Sequence, residues 1–152
     1  MNSPHRRQFL GRSLGVAQVA VASVLLPGAA RAFAPATSAD ARRLSFNHLH
    51  TRERTALVYA VGSDFLPPAL THLNHFLRDH YTGEVGQMDP ELYNVLHRVR
   101  RELGTDLPFH VISGYRSPAT NETLRTTRGG GVARRSLHMD GKAIDVRLPG
   151  VA

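Results

Sequence analysis

Cysteine is absent from all 152 residues, so neither a disulfide nor a thiolate metal site is available. A fold built from this chain rests on its core, or on a metal held by other ligands. Lysine is nearly absent as well, and Lys142 stands alone among arginines. The apolar stretch from Leu14 to Leu26 is broken by Gln18 and Ser23 and is too short to span a bilayer. No acidic residue occurs in the first 32 positions, and no histidine follows His138.

Those first positions carry three ordered features. Arg6-Arg7-Gln8-Phe9-Leu10-Gly11 is a twin-arginine pattern, with His5 where Ser or Thr is usual. The short apolar stretch follows, and Ala30-Arg31-Ala32 offers an A-x-A-like cleavage site. Residues 1–32 therefore read as a bacterial export signal rather than a membrane anchor. The expected location is periplasmic, reached by the twin-arginine route. Residues 33–43, small, polar and Pro-containing, read as a linker, and residues 44–152 as one domain.

The export segment also carries part of the charge. Four of the 19 basic residues lie in it, which leaves 15 against 12 acidic residues beyond it. That balance does not call for a nucleic-acid partner. A mild positive excess suits an anionic cell-wall polymer, and equally many solvated surfaces. Oligomeric state is not legible.

The body alternates strand and helix patterns. Leu44–His50 alternates apolar and polar, and Thr55–Val61 is β-branched and aromatic, with Thr51–Arg54 as a hairpin turn lacking glycine. Pro67-Pro68 opens a helix to about Tyr81, with Leu70, Leu73, Phe76 and Leu77 as its apolar stripe. Asp89-Pro90 opens another, whose buried face is expected to be Leu92, Val95, Leu96, Val99 and Leu103. Phe109–Ile112 is a short strand, Ser117-Pro118 starts a short helix, and Arg128–Arg135 is a basic, Gly-rich loop. The expected class is α+β: a small antiparallel sheet with helices packed on one face.

The most informative stretch is Ser136-Leu137-His138-Met139-Asp140-Gly141-Lys142-Ala143-Ile144-Asp145. His138 and Asp145 are joined by a turn containing Gly141, and both are ordinary Zn²⁺ ligand types. On the strand Ala143–Leu148, Ile144, Val146 and Leu148 face the core while Asp145 and Arg147 face the other way. On its own the histidine reads more readily as a solvated loop residue than as a ligand, and the aspartate as a turn cap or a partner of Arg147. Arg116, after Gly114 in a turn closing a strand, suits a carboxylate or carbonyl clamp, with a structural salt bridge as the other reading. His72 and His75 share a helix face, a weak metal candidate.

The motif resembles the Ser-x-His-x-x-Gly-x-Ala-x-Asp signature of the M15-type zinc peptidases, which include D-Ala-D-Ala carboxypeptidases and murein endopeptidases. The resemblance extends to Ile112–Pro118, Asn121, Leu124, Leu44–Thr51 and Leu73–Asp79. It is to the twin-arginine-exported murein endopeptidase K branch. It implies a D-Ala-D-Ala-peptidase-like domain, Zn²⁺ as cofactor, His138 and Asp145 as metal ligands, and Arg116 as anchor of substrate or oxyanion. It implies hydrolysis of peptidoglycan peptide cross-links in cell-wall biogenesis or remodelling.

The resemblance also implies a third ligand, a histidine in a C-terminal His-hydrophobic-Asp segment, which has no match here. The domain is therefore expected to be C-terminally incomplete and the chain by itself nearly inactive. The general base is unassigned, and His48, His50, His110 or a partner chain are the remaining sources of a third ligand. The alternative to an enzyme is a non-catalytic cell-wall-binding remnant or an inactive fragment.

Overall fold

The computed structural model describes residues 40–127 and 131–151. The expected export signal and most of the expected linker lie outside them. The first strand, β1 (Ala41–His48), already includes the linker's last residues. Its alternation buries Leu44, Phe46 and His48.

β1 turns into β2 (Arg54–Val61) without glycine. Arg52 takes the left-handed conformation instead, at φ 66°. The turn is closed by Arg52 N–H to His48 C=O at 3.0 Å and His48 N–H to Glu53 C=O at 2.9 Å. A two-residue strand, β3 (Asp64–Phe65), follows and is too short to carry a sequence pattern. Next come α1 (Pro67–Phe76), α2 (Glu91–Glu102), β4 (Phe109–Ser113), α3 (Pro118–Thr127) and β5 (Asp145–Arg147).

The five strands lie in the order β3-β2-β1-β4-β5. Three pairings are antiparallel, but β4 runs parallel to β1. A parallel pair needs a long crossover, and the stretch holding α1 and α2 supplies it. Both helices cover the same sheet face. Phe76 meets Phe46 at 6.0 Å between ring centroids, and Tyr93 meets Tyr59 at 5.8 Å.

Two helix expectations are corrected. α1 ends at Phe76 rather than near Tyr81. Beyond it the Asp79 carboxylate takes the Tyr81 N–H at 2.9 Å, and the Asp79 carbonyl takes the Gly83 N–H at 2.7 Å. A side chain that bonds local backbone in this way competes with the helical ladder. On α2, Tyr93 and Leu96 face the core, while Val95, Val99 and Leu103 are 44%, 39% and 46% exposed. Among the described residues no helix is long and apolar enough to cross a membrane.

Candidate metal centre

β5 places its side chains as its alternation requires. Ile144 and Val146 pack on the core, and Asp145 is exposed at the sheet edge. Ser113 pairs with Asp145 across β4 and β5, so the end of β4 and the start of β5 are neighbours. The chain leaving β4 makes the turn Gly114–Ser117, and the loop Ser136–Lys142 lies against it.

His138 is oriented by that turn. Its Nδ1 is 2.8 Å from the Gly114 carbonyl oxygen. A carbonyl only accepts, so Nδ1 donates to it, and in that tautomer a lone pair at Nε2 is free to bind a metal. Nε2 faces Asp145 Oδ2 at 3.4 Å. A lone pair and a carboxylate oxygen repel unless a cation lies between them. The separation exceeds that of a charge-assisted hydrogen bond, about 2.7–2.9 Å. Two donors each about 2.0–2.2 Å from one tetrahedral ion stand roughly 3.3–3.6 Å apart. The two residues therefore fit a shared Zn²⁺, with the backbone carbonyl fixing the histidine tautomer from behind.

Glycines make this approach possible. A Cβ on Gly114 would lie 2.5 Å from the Leu77 carbonyl oxygen. Gly141 sits at φ +66°, and a Cβ there would run into the Gln87 carbonyl. The Gly141 carbonyl accepts the Asp89 N–H at 2.9 Å, which ties the metal loop to the entry of α2.

A cleft of about 120 Å³ opens beside the pair, lined by Asp145, Arg116, Tyr115, Asp79, His80 and His50 among others. Among the described residues no carboxylate pairs with the Arg116 guanidinium, which favours the clamp over the structural salt bridge. Opposite, the rings of His50 and His80 stack 4.1 Å apart at 6°. Burial, and then the neighbouring His50, hold the His80 pKa below its ordinary value.

The other candidates separate from the pair. Among the described residues no group of three His, Cys, Asp or Glu side chains converges on a metal position. His50 lines the cleft without joining the ligands, and His110 lies along β4 opposite Arg147. His48 is 2% exposed, and its Nδ1 accepts the N–H groups of His50 and Thr51 at 3.2 and 3.3 Å. Burial above all, then the nearby His80 and His50, lowers its pKa to about 4. His72 bonds Thr55 at 2.9 Å. Asn121 Nδ2 donates to the Ala133 carbonyl at 3.0 Å and holds the following loop, while its N–H donates to the Ser117 carbonyl at 2.9 Å. Ser136 Oγ accepts the His138 N–H at 3.4 Å.

Sequence reasoning missed Asp79 and His80. Both follow the end of α1, where the apolar period fails to carry on, and that failure was the available signal.

His138 and Asp145, with an Arg116 guanidinium that pairs with no carboxylate among the described residues, make a candidate centre of the kind a metallopeptidase uses. Residues 36–152 match the family Peptidase_M15_2, described as peptidoglycan L,D-endopeptidase MepK, and the chain belongs to that family. It is 38% identical over 139 residues to peptidoglycan L,D-endopeptidase MepK of Escherichia coli K12, covering 91% of this chain and 75% of the relative. It is 34% identical over 139 residues to the probable peptidoglycan L,D-endopeptidase MepK of Haemophilus influenzae, covering 91% of this chain and 73% of the relative. No solved structure matches.

Proposed function

We propose that this chain is a zinc-dependent peptidoglycan endopeptidase, in which His138 and Asp145 hold the metal and Arg116 anchors the substrate. The observation that carries the reading is the 3.4 Å approach of His138 Nε2 to Asp145 Oδ2, with Nδ1 committed to Gly114. A bound Zn²⁺ supplies Lewis-acid polarisation and a water of lowered pKa. The chain's own groups do the rest. Gly114 fixes the imidazole, Asp145 contributes charge from the sheet edge, and the Arg116 guanidinium orients an amide carbonyl or terminal carboxylate beside them. The general base and a third ligand are not among the residues brought together here. With two protein ligands the ion is held weakly, so the assay needs saturating zinc.

The similarity to MepK proteins supports peptide cross-links of peptidoglycan as substrate, and with it a periplasmic place of action. Residues 1–32 then serve as a twin-arginine export signal, and the peptidase domain includes Ala41–Arg43, which belong to β1. Processed protein should fail to appear outside the cytoplasm when Arg6 and Arg7 are both replaced by Lys.

The test is release of peptide fragments from purified peptidoglycan by the whole chain. Low but zinc-dependent release is expected, absent in His138→Ala and after chelation. Release that survives either treatment places the chemistry elsewhere. No release at saturating zinc, with the polymer still bound, contradicts the enzyme reading.

A further inference from the structure

The turn that carries Arg116 is held from two sides. On the metal side, the Gly114 carbonyl takes His138 Nδ1 at 2.8 Å and the Arg116 N–H donates to the His138 carbonyl at 3.2 Å. On the opposite side, the Tyr115 N–H donates to the Leu77 carbonyl at 2.8 Å. The Ser117 N–H donates to Asp79 Oδ2 at 2.9 Å. Successive residues thus bond alternately to the metal loop and to the segment leaving α1. Two of these four ties end on backbone carbonyls, those of His138 and Leu77. The other two end on side chains, the His138 ring and the Asp79 carboxylate, which is only 1% exposed.

Burying a carboxylate is costly unless donors surround it. Asp79 has them: the Ser117 and Tyr81 N–H groups, each at 2.9 Å, one on each oxygen. The hydroxyls of Thr120 and Ser117 stand in reach as well. Burial by itself would raise the carboxyl pKa, but these hydrogen bonds outweigh it and bring it to about 2, so the group is ionised wherever the protein works. Asp79 also lines the cleft that Arg116 and Asp145 share.

We propose that Asp79 is the positioning residue of this centre: its carboxylate clamps the Gly114–Ser117 turn and so sets where the Arg116 guanidinium stands relative to the His138–Asp145 pair. The proposal rests on the reading of Arg116 as substrate anchor. Asp79 does not touch the substrate; it acts through Arg116. An asparagine of the same size cannot replace it. One amide end would offer N–H groups to a backbone N–H, so one of the two ties is lost.

The test is a double-mutant cycle on zinc-free protein, reading equilibrium affinity for an N-acetylated dipeptide with a free carboxylate. Zinc affinity and urea stability are measured in parallel. Asp79→Asn should weaken the peptide about tenfold in the wild-type background and leave it unchanged in an Arg116→Ala background, because contacting or coupled residues are non-additive. Zinc affinity should move less than about threefold. Thr120→Val removes one hydroxyl and repeats the cycle if Asp79→Asn does not fold. Additive losses in the two backgrounds, or a loss of stability with peptide affinity intact, would overturn the proposal. An Arg116→Ala variant that binds the peptide normally would instead overturn the anchor reading on which it rests.

Discussion

His48 and His138 both commit Nδ1 to the backbone, but in opposite directions. His138 Nδ1 donates to the Gly114 carbonyl, which leaves Nε2 bare and facing Asp145. His48 Nδ1 accepts two backbone N–H groups, so its neutral ring carries the proton on Nε2, which is buried with no hydrogen-bond partner among the described residues. One histidine is thereby poised for the ligand role proposed for it, and the other caps a turn. Surroundings sharpen the contrast. His48 lies among Phe76, His50 and His80 rings, whereas His138 reaches a sheet-edge carboxylate beside a cleft. The residue type is the same; the direction of one hydrogen bond decides what it does.

The contrast breaks most readily on the metal side. Gly141→Ala forces a Cβ into the Gln87 carbonyl at a left-handed position, so the loop carrying His138 must shift. A loss of more than about 2 kcal/mol in urea unfolding is expected, together with loss of zinc binding. A variant as stable as the parent would mean that the loop does not need this close approach.

The His48 side breaks with acid. Its folded pKa of about 4 lies below the unfolded value of 6.5. The unfolded chain therefore takes up a proton first as pH falls. Stability is full above about 6.5 and declines down through about 4, by up to about 3 kcal/mol. Asp79 responds only lower, between its usual carboxylate range and about 2, so it does not blur this window. Half-buried His80 and His97, also lowered chiefly by desolvation, add in the same direction. His48→Gln should flatten the decline of urea midpoint between pH 7 and 4, and an unchanged slope would remove His48 as its main source.

The smallest effect concerns the turn that His48 caps. Arg78 meets Glu53 at 2.9 Å, with side chains 19% and 40% exposed. Glu53→Gln should cost less than about 1 kcal/mol, and salt should erase the difference. A larger, salt-independent loss would show that the pair, rather than the Nδ1 cap, holds the turn.

Much of the fold was legible because its signals are local. The alternation of Leu44–His48 and of Ile144–Val146 and the Pro67-Pro68 and Asp89-Pro90 helix starts all act within a few residues. The parallel pairing of β1 with β4 was not legible, since it depends on where two helices return the chain. The outward face of α2 was hidden for a related reason. Leu96 was expected in the buried face and lies there, but Val95, Val99 and Leu103 share its stripe spacing, and only the position of Tyr59 shows that Tyr93 takes their place. In the candidate site, His138, Asp145 and Arg116 were singled out from their motifs, and the structure brings the pair together and places Arg116 in the cleft beside Asp145. Asp79 escaped because its partners, Ser117 and Tyr81, are backbone groups, and one of them lies 38 residues away.

The sharpest measurement is ¹⁵N NMR of the histidine side chains during a zinc titration of the whole chain. His138 should be protonated at Nδ1 before zinc, and its Nε2 signal should move as zinc is added. His48 should be protonated at Nε2 and stay unmoved. A zinc-induced shift at His48, or a His138 Nε2 signal unmoved at saturating zinc, would contradict the assignment of ligand and cap.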